Sequence, residues 1–174
     1  MRDRPRNIIL TGFMGTGKSS IGRRLARRLA WRFVDTDNLI EERAGQPIAA
    51  IFAEAGEAAF RAIEREVAHD VGSLRRHVVA TGGGMVVDPE NLELLEQAGL
   101  VILLEATVET IWERTRGRKH RPLLNNDDPR GTIERLLAAR RAAYERVAHR
   151  LATDGRTPDE VVAEILKLYE GAAA

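Results

Sequence analysis

The stretch that decides the fold runs from Asn7 to Ser19 and reads NIILTGFMGTGKS. Its first five residues form an apolar, β-branched run typical of a buried strand. The remaining eight fit the phosphate-binding pattern G-x-x-x-x-G-K-[ST]. Beyond them, Ile21, Leu25 and Leu29 recur near helical spacing. A glycine loop between a strand and a helix predicts a site for nucleotide phosphates.

The residue types in this loop suit phosphate binding. Gly12, Gly15 and Gly17 let successive backbone N–H groups point inward without Cβ atoms in the way. Lys18 can reach the β- and γ-phosphates, and the Ser19 hydroxyl is a hard oxygen that suits Mg²⁺. The alternative interpretation is a glycine-rich turn followed by a surface lysine.

Length and composition set limits on the rest. The 174 residues suit one domain, 1–174, with a core of its own. The absence of cysteine excludes disulfides, thiolate metal sites and cysteine nucleophiles. A net charge of +1 gives no argument for a nucleic-acid partner. Because no apolar run approaches a membrane span or a signal-peptide core, we expect a soluble cytoplasmic protein.

Strand-like and helix-like segments alternate along the chain, which predicts a parallel sheet with helices on both faces. Further strands are predicted at 31–34, 77–81, 100–104 and 151–153, and helices at 38–43, 48–55, 57–72, from 88 or 89, from 107, at 131–150 and from 158 or 159. The strand 100–104 is expected at or next to the centre, since doubly covered strands read as continuous apolar runs. The polar segment 114–130 is expected to form an excursion from the layers.

Two carboxylates follow the second predicted strand. Asp35 and Asp37 come at its carboxyl end, the edge at which ligands bind in open α/β sheets. On an extended chain, side chains two residues apart share a face, so the pair could serve a metal ion or substrate hydroxyls. The alternative is that Asp-Thr-Asp caps the next helix.

Glycines and arginines supply further candidates. The run Gly82-Gly83-Gly84 after the third strand loses backbone entropy without packing return, which indicates close approach of a ligand to the main chain. A flexible loop is the alternative. Arg61, Arg121 and Arg140 suit bidentate binding of carboxylate or phosphate. In so arginine-rich a chain, residue type alone does not select them.

Together these motifs resemble the shikimate kinase family over nearly the whole chain. The matching pieces are the glycine loop at 12–19, Asp-Thr-Asp at 35–37, Phe60-Arg61 followed by Ile63-Glu64, the glycines 82–84, Arg-Pro-Leu-Leu at 121–124, and Arg140 four residues before Tyr144. Many NTPases share the glycine loop, whereas the combination is specific. The resemblance implies a P-loop NTPase-type three-layer α/β/α fold, nucleoside-monophosphate-kinase-like, with a five-stranded parallel sheet of order 2-3-1-4-5 and a lid.

The resemblance also implies an activity. It is the ATP-dependent phosphorylation of the 3-hydroxyl of shikimate, which yields shikimate 3-phosphate and ADP on the route to aromatic amino acids. Mg²⁺ is the implied cofactor, with substrate-binding helices at about 38–72 and a lid at about 115–129. Shikimate and ATP are the expected partners of a monomer that binds neither nucleic acid nor membrane.

Site residues carry over from the resemblance as three sets. The ATP-binding set is Gly12, Gly15, Thr16, Gly17, Lys18, Ser19, Ser20, Arg114, Arg121, Arg156 and Pro158. The substrate-binding set is Asp37, Arg61, Gly82, Gly83, Gly84 and Arg140. Ser19 and Asp35 form the metal set, with Asp35 acting through water.

Within these sets the resemblance implies specific roles. The catalytic residues are Lys18 on the β- and γ-phosphates, Asp37 on the substrate hydroxyls and as proton acceptor, and the lid residue Arg121 on the transferring group. Arg61 and Arg140 grip the shikimate carboxylate, and Gly83 contributes a backbone contact. Arg114 stacks on adenine, with Arg156 and Pro158 on its other side.

Two rival interpretations stay open on the sequence alone. One is a gluconate kinase or another small-metabolite kinase on the same scaffold, which should not need Asp-Thr-Asp, the glycine triplet and the Arg61 with Arg140 pair together. The other is a non-catalytic ligand-sensing module. A sensor does not need groups for phosphoryl transfer, so the presence of four such residues argues against it: Lys18, Ser19, Asp35 and Arg121.

Overall fold

A five-stranded parallel sheet organises the computed structural model, which describes residues 5–117, 124 and 126–172. The strands are β1 Ile8–Thr11, β2 Arg32–Asp35, β3 His77–Ala80, β4 Leu100–Glu105 and β5 His149–Ala152. Their spatial order is β2-β3-β1-β4-β5, and each neighbouring pair is parallel. The predicted fold class and strand order are confirmed, and β4 lies next to the central strand as expected.

Helices cover both faces of the sheet. Within the described ranges they are α1 Lys18–Leu29, α2 Thr36–Ala44, α3 Ile48–Val71, α4 Pro89–Ala98, α5 Val108–Thr115, α6 Pro129–Glu145 and α7 Pro158–Gly171, with a 3₁₀ turn at Met85–Val87. Alternate residues of β1 feed two separate cores. Ile8 and Leu10 pack with α1 and α7, whereas Ile9 packs with residues of α2 to α6.

Local signals at helix ends act as predicted. The Asp88 side chain caps α4 by accepting from the Glu90 N–H at 3.0 Å, and Pro89 occupies the first helical position. Gly45 ends α2 in the left-handed region at φ 68°. Gly56 interrupts α3 at φ 81°, where the sequence predicts a break between two helical pieces. These boundaries therefore follow from single residues.

The end of α6 differs from the prediction. The helix expected over 131–150 ends at Glu145, and β5 begins at His149 in place of 151. Residues 146–150 contain no glycine or proline that would mark a stop. The helix ends because Val147 is buried in the core and His149 pairs with Ile102 of β4. Tertiary pairing therefore sets this boundary.

The Asp-Thr-Asp segment also differs in its local geometry. Strand β2 ends at Asp35, and α2 begins at once with Thr36. Asp37 therefore lies in the first turn of a helix, and the expectation of two carboxylates on one extended face is wrong. The capping interpretation is correct in its geometry, since Asp35 is the N-cap residue of α2.

No helix among the described residues combines the length and the apolar character needed to cross a bilayer. The predicted lid at about 115–129 includes residues 118–123 and 125, which lie outside the described residues. Both the lid and the single-domain organisation stay predictions.

Candidate active site

A cavity of about 740 Å³ opens at the carboxyl edge of the sheet, where ligands bind in this class of fold. Its wall brings together side chains that are far apart in the sequence. The predicted site residues that line it are Gly15, Thr16, Gly17, Lys18, Ser19, Ser20, Asp35, Asp37, Arg61, Gly82, Gly83, Gly84, Arg114, Arg140, Arg156 and Pro158. The nucleotide and substrate sets thus share one cavity.

Among the described residues, one predicted site residue, Gly12, is not part of this wall. Gly12 is buried behind it, with φ 137° and a position where a Cβ atom would lie 2.3 Å from the Leu104 carbonyl oxygen. It shapes the loop and offers its carbonyl oxygen to Lys18. Arg121 lies outside the described residues, so its role stays a prediction.

The glycine loop folds back around the Lys18 ammonium. Lys18 Nζ donates to the carbonyl oxygens of Gly12 at 2.7 Å and Phe13 at 2.9 Å. The buried Thr16 hydroxyl donates to the same Phe13 oxygen at 2.8 Å. Gly17 precedes α1 in the left-handed region at φ 97°, and the first turn carries no acidic residue and no side-chain cap. The positive end of α1 therefore suits an anion.

Ser19 and Asp35 meet beside this loop. The Ser19 hydroxyl donates to Asp35 Oδ2 at 3.2 Å, while Asp35 Oδ1 accepts from the Asp37 N–H at 3.1 Å. A hydroxyl and a carboxylate are hard oxygen ligands that fit Mg²⁺, which is commonly bound through one or two carboxylates plus substrate phosphates. In the described ranges no group of three or more acidic, His or Cys side chains forms a metal cage. The donor set therefore fits a metal that arrives with its nucleotide.

Asp37 is the most perturbed carboxyl group in the cavity. Burial raises its pKa from 3.8 to about 6, the nearby Asp35 carboxylate adds to the rise, and Lys18 opposes it. A carboxylate with a pKa near neutrality is suited to accept a proton from a substrate hydroxyl. The environment of Asp37 therefore suits a group that accepts a proton near neutral pH.

The two guanidinium groups come from different helices. Arg61 on α3 donates to Glu64 Oε2 at 2.7 Å and to Glu57 Oε1 at 3.3 Å. Glu64 is only 2% exposed, and burial raises its pKa despite the neighbouring guanidinium. Arg140 on α6 lies over the Phe13 ring, with its guanidinium carbon 5.3 Å from the ring centroid. Each guanidinium therefore has a neighbouring side chain that holds it in place, Glu64 for Arg61 and Phe13 for Arg140.

The glycines at 82–84 make room for these side chains. A Cβ atom would lie 2.8 Å from Asp37 Oδ1 at the first glycine, 3.0 Å from Arg140 Nη1 at the second and 3.0 Å from Arg61 Nη1 at the third. None of the three has a positive φ, so space and not backbone conformation requires glycine here. The sequence predicted close approach of a ligand, whereas the structure also shows close approach of three side chains.

Arg114 joins the glycine loop to the loop after β5. Its Nη1 donates to the Gly15 carbonyl at 3.2 Å and to Thr153 Oγ1 at 3.0 Å, and its Nη2 donates to the Thr153 carbonyl at 3.0 Å. Arg156 donates to the Ala152 carbonyl at 3.4 Å and pairs with Glu164 at 3.7 Å. The predicted adenine-side residues thus lie on one connected stretch of wall.

Comparison with known proteins follows this geometry. The shikimate kinase family model matches residues 14–170. The chain belongs to the shikimate kinase family. A protein of Geobacter sulfurreducens named shikimate kinase is 48% identical over 160 residues, which cover 92% of this chain and 88% of the relative. The family and enzyme class predicted from the motifs are confirmed.

Solved structures agree with the family assignment. Shikimate kinase from Acinetobacter baumannii, solved in complex with shikimate, matches with a TM-score of 0.89 and 36% identity over 96% of this chain and 94% of that one. A gluconokinase from Sinorhizobium meliloti matches with a TM-score of 0.61 and 21% identity over 99% of this chain and 95% of that one. At that identity the gluconokinase shows the fold alone. The rival gluconate kinase interpretation is therefore not favoured.

Several residues that line the cavity of this shikimate kinase family member were not predicted as site residues from the sequence. They are Met14, Ile21, Ile48, Phe52, Phe60, Glu64, Thr81, Thr153 and Val161. Phe52 is 40% exposed on α3, and nothing in its type assigns it to a binding site. Phe60 and Glu64 belong to quoted motif pieces, but nothing in their type assigned them a role. The Thr81 hydroxyl is buried without a hydrogen-bond partner among the described residues.

Proposed function

We propose that this chain transfers the γ-phosphoryl group of ATP to the 3-hydroxyl of shikimate, giving shikimate 3-phosphate and ADP. The observation that carries the proposal is that Lys18, Asp37, Arg61 and Arg140 line a single cavity. ATP requires a cation that binds its phosphates, which Lys18 provides. An acidic polyol requires guanidiniums for its carboxylate and a carboxylate of raised pKa for its hydroxyls, which the other three residues provide. Membership in the shikimate kinase family supports the same reaction.

The nucleotide half of the cavity lies at the glycine loop. Lys18, whose ammonium already lies among the loop carbonyls, would bind the β- and γ-phosphates, and the α1 amides would add donors. Ser19 and Asp35 would hold Mg²⁺, which neutralises phosphate charge when it is bound. The adenine would lie against Arg114, with Arg156 and Pro158 opposite.

The acceptor half lies between α3, α6 and the glycine triplet. Arg61 and Arg140 would bind the substrate carboxylate through charge-assisted hydrogen bonds. Asp37, close to Gly82, would accept a hydrogen bond from the hydroxyl that reacts. Amide groups of Gly83 and Gly84 would complete the contacts with the substrate. This arrangement would hold the hydroxyl in line with the γ-phosphorus, which is the main demand of phosphoryl transfer.

In the reaction the hydroxyl oxygen would form a bond to the γ-phosphorus while the bond from phosphorus to the β–γ bridging oxygen breaks. The hydroxyl proton would move to the Asp37 carboxylate. Lys18, and Arg121 from the lid, would stabilise the charge on the transferring group and on the leaving ADP. Closure of residues 115–129 over the nucleotide would exclude water and limit ATP hydrolysis.

We infer that the protein uses Mg²⁺, acts in the cytoplasm and is a monomer. A net charge of +1 supports the absence of a nucleic-acid partner.

An acceptor panel tests the proposed activity. ADP release is measured with ATP, Mg²⁺ and one of shikimate, quinate or gluconate at equal concentration. We expect kcat/KM to be highest for shikimate, because the two guanidiniums and Asp37 match its carboxylate and hydroxyls. Failure to turn over shikimate would overturn the proposal, and preferred turnover of gluconate would restore the rival kinase.

Arg61→Ala tests the carboxylate clamp. We expect the KM for shikimate to rise roughly 10- to 100-fold, since a hydrogen bond to a charged group is lost, while the KM for ATP changes little. Arg61→Lys keeps the charge without the planar guanidinium, so its KM for shikimate should lie between those of the wild type and Arg61→Ala. The matched control is Arg65→Ala on the same helix, whose guanidinium pairs with Asp88 and Glu90. A change confined to the KM for ATP would show that the clamp assignment is wrong.

A further inference from the structure

The segment 82–87 between β3 and α4 has its carbonyl oxygens fully engaged. In chain order from residue 82, they accept from Met85 N (3.1 Å), Tyr144 Oη (2.7 Å), Val87 N (3.1 Å), Asn91 Nδ2 (3.1 Å) and, for the last two, Arg146 Nη2 (3.4 and 3.1 Å). Three of these six bonds come from the C-terminal end of α6. That end of the helix therefore holds the segment in one orientation.

The amide groups of the glycines are engaged differently. The Gly82 N–H donates to Thr36 Oγ1 at 3.1 Å. The N–H groups of Gly83 and Gly84 donate to no acceptor in the part of the chain that the structure describes, and both residues line the cavity. The side-chain atoms nearest to the Cβ positions of Gly83 and Gly84 belong to the guanidiniums of Arg140 and Arg61. These two amides are the donors that the segment can offer to a bound anion or hydroxyl.

The bond from Tyr144 fixes the peptide between these glycines. In a trans peptide the C=O of one residue and the N–H of the next point in opposite directions. Holding the Gly83 carbonyl against Tyr144 therefore turns the Gly84 N–H away from α6. Glycine has no side chain to restrict the rotation of this peptide, so the phenol supplies the restriction.

Tyr144 is well placed to keep this bond. Its side chain, in the last turn of α6, is 6% exposed in the core and does not line the cavity. Burial raises the pKa of the Tyr144 phenol above its ordinary value, so the hydroxyl stays a proton donor across neutral pH. Arg140 precedes it by one helical turn, and its guanidinium lies near the Tyr144 hydroxyl, where it opposes the rise in the pKa of the phenol. The same guanidinium reaches within 3.0 Å of the Cβ position of Gly83. One helix thus carries both a predicted substrate contact and the anchor of the neighbouring peptide.

We propose that Tyr144 is a positioning residue for the acceptor substrate, whose O–H holds the Gly83–Gly84 peptide so that the Gly84 N–H faces the substrate beside the Arg61 and Arg140 guanidiniums. This proposal rests on the proposed function for the identity of the substrate. Tyr144 acts through the peptide and through the neighbouring Arg140 guanidinium, and it makes no contact with the substrate itself. It links α6, which follows the predicted lid in the chain, to the acceptor half of the cavity.

Tyr144→Phe tests the proposal, because it removes one hydroxyl and keeps the ring. The chain provides a matched control in Tyr169→Phe on α7, a tyrosine that is 8% exposed and packs against Trp31 in the other core. For Tyr144→Phe we expect a three- to tenfold rise in the KM for shikimate, about the factor that one hydrogen bond contributes. The KM for ATP and the melting temperature should match those of the control.

A second measurement reads the peptide directly. With ¹⁵N-glycine labelling, the 15 glycines give a small set of amide signals. We expect the Gly84 signal, and that of Gly83, to shift in substrate-free Tyr144→Phe and to stay in place in Tyr169→Phe. Because no substrate is needed, this reading stands even if the acceptor panel overturns the proposed function.

Three outcomes would overturn the positioning role. One is a KM for shikimate in Tyr144→Phe equal to that in Tyr169→Phe. Another is an equal rise in the KM values of both substrates, which a general loss of structure would cause. The third is a lower melting temperature with unchanged Gly83 and Gly84 amide signals, which would give Tyr144 a packing role alone.

Discussion

Lys18→Met is expected to lower kcat with ATP and shikimate by about 10²- to 10³-fold or more, the loss typical when a group that stabilises transition-state charge is removed. The Lys18 ammonium is half-buried in the cavity wall and lies 2.7 Å from the Gly12 carbonyl oxygen, where loop and phosphates would meet. Methionine keeps the length of the stem but carries no charge. The chemical step should therefore fail while substrate binding at Arg61 and Arg140 survives.

The fold should tolerate this change, because Lys18 belongs to neither hydrophobic core. The melting temperature of Lys18→Met is expected to stay close to that of the wild type. Lys167→Met on α7 is the matched control, since that lysine is exposed and lies outside the cavity wall. It should keep wild-type kcat. A folded Lys18→Met protein with a wild-type rate would remove Lys18 from the mechanism.

Asp37→Asn is expected to lower kcat by about 10²- to 10⁴-fold, the usual contribution of a positioned general base. In the wild-type enzyme the proton must leave Asp37 before the carboxylate can act. Because its pKa is raised from 3.8 to about 6, kcat/KM for shikimate should rise with pH through about 6 and level off above it. Asp37→Asn should lose this step in the residual rate, and a residual rate that keeps it would assign the titration to another group.

The same substitution should stabilise the protein at neutral pH. Asp37 binds a proton more tightly in the folded state, with a pKa of about 6, than at the unfolded value near 3.8. Its contribution to the free energy of unfolding is therefore greatest below the unfolded pKa and falls as pH rises through the folded pKa. Asparagine is neutral throughout and escapes this loss, which corresponds to roughly 1 to 3 kcal/mol.

Thermal melts at two pH values check this expectation. The melting temperature of Asp37→Asn should exceed that of the wild type at pH 8, and the difference should shrink towards pH 4. Asp70→Asn, which removes an exposed carboxylate from the Arg43 ion pair, is the control and should show no such gain at pH 8. A lower melting temperature of Asp37→Asn at pH 8 would contradict the burial argument. The expected result, a gain in stability together with a loss of kcat, would show that the Asp37 carboxylate lowers stability and serves activity.

Much of the fold can be predicted because its signals are local. The run before Gly12 marks a strand, Asp88 with Pro89 marks a helix start, and Gly45 and Gly56 mark breaks that the structure places within a residue or two. The end of α6 could not be predicted, since it depends on the pairing of β5 with β4. The local pattern of residue types does not reveal contacts between segments that are distant in the sequence.

The site divides in the same way. Glycine loops and carboxylates at strand ends can be identified in the sequence by residue type and spacing, and most of the predicted residues do line the cavity. The hydrogen-bond partners of the site residues cannot be identified in this way, because they are tertiary contacts. Examples are Glu64 with Arg61, Thr153 with Arg114, and Tyr144 with the Gly83 carbonyl. The glycine triplet illustrates both cases. Its sequence predicted a close approach to the main chain, but it did not predict that three side chains make that approach.

The product of the reaction tests the central claim most directly. The protein is incubated with ATP, Mg²⁺ and shikimate, and the product is analysed by ³¹P and ¹H NMR beside the measured release of ADP. We predict one phosphate monoester per ADP, with its phosphorus coupled to the proton on carbon 3 of shikimate. Phosphorus on another hydroxyl, or ADP and inorganic phosphate without a phosphorylated shikimate, would contradict the account.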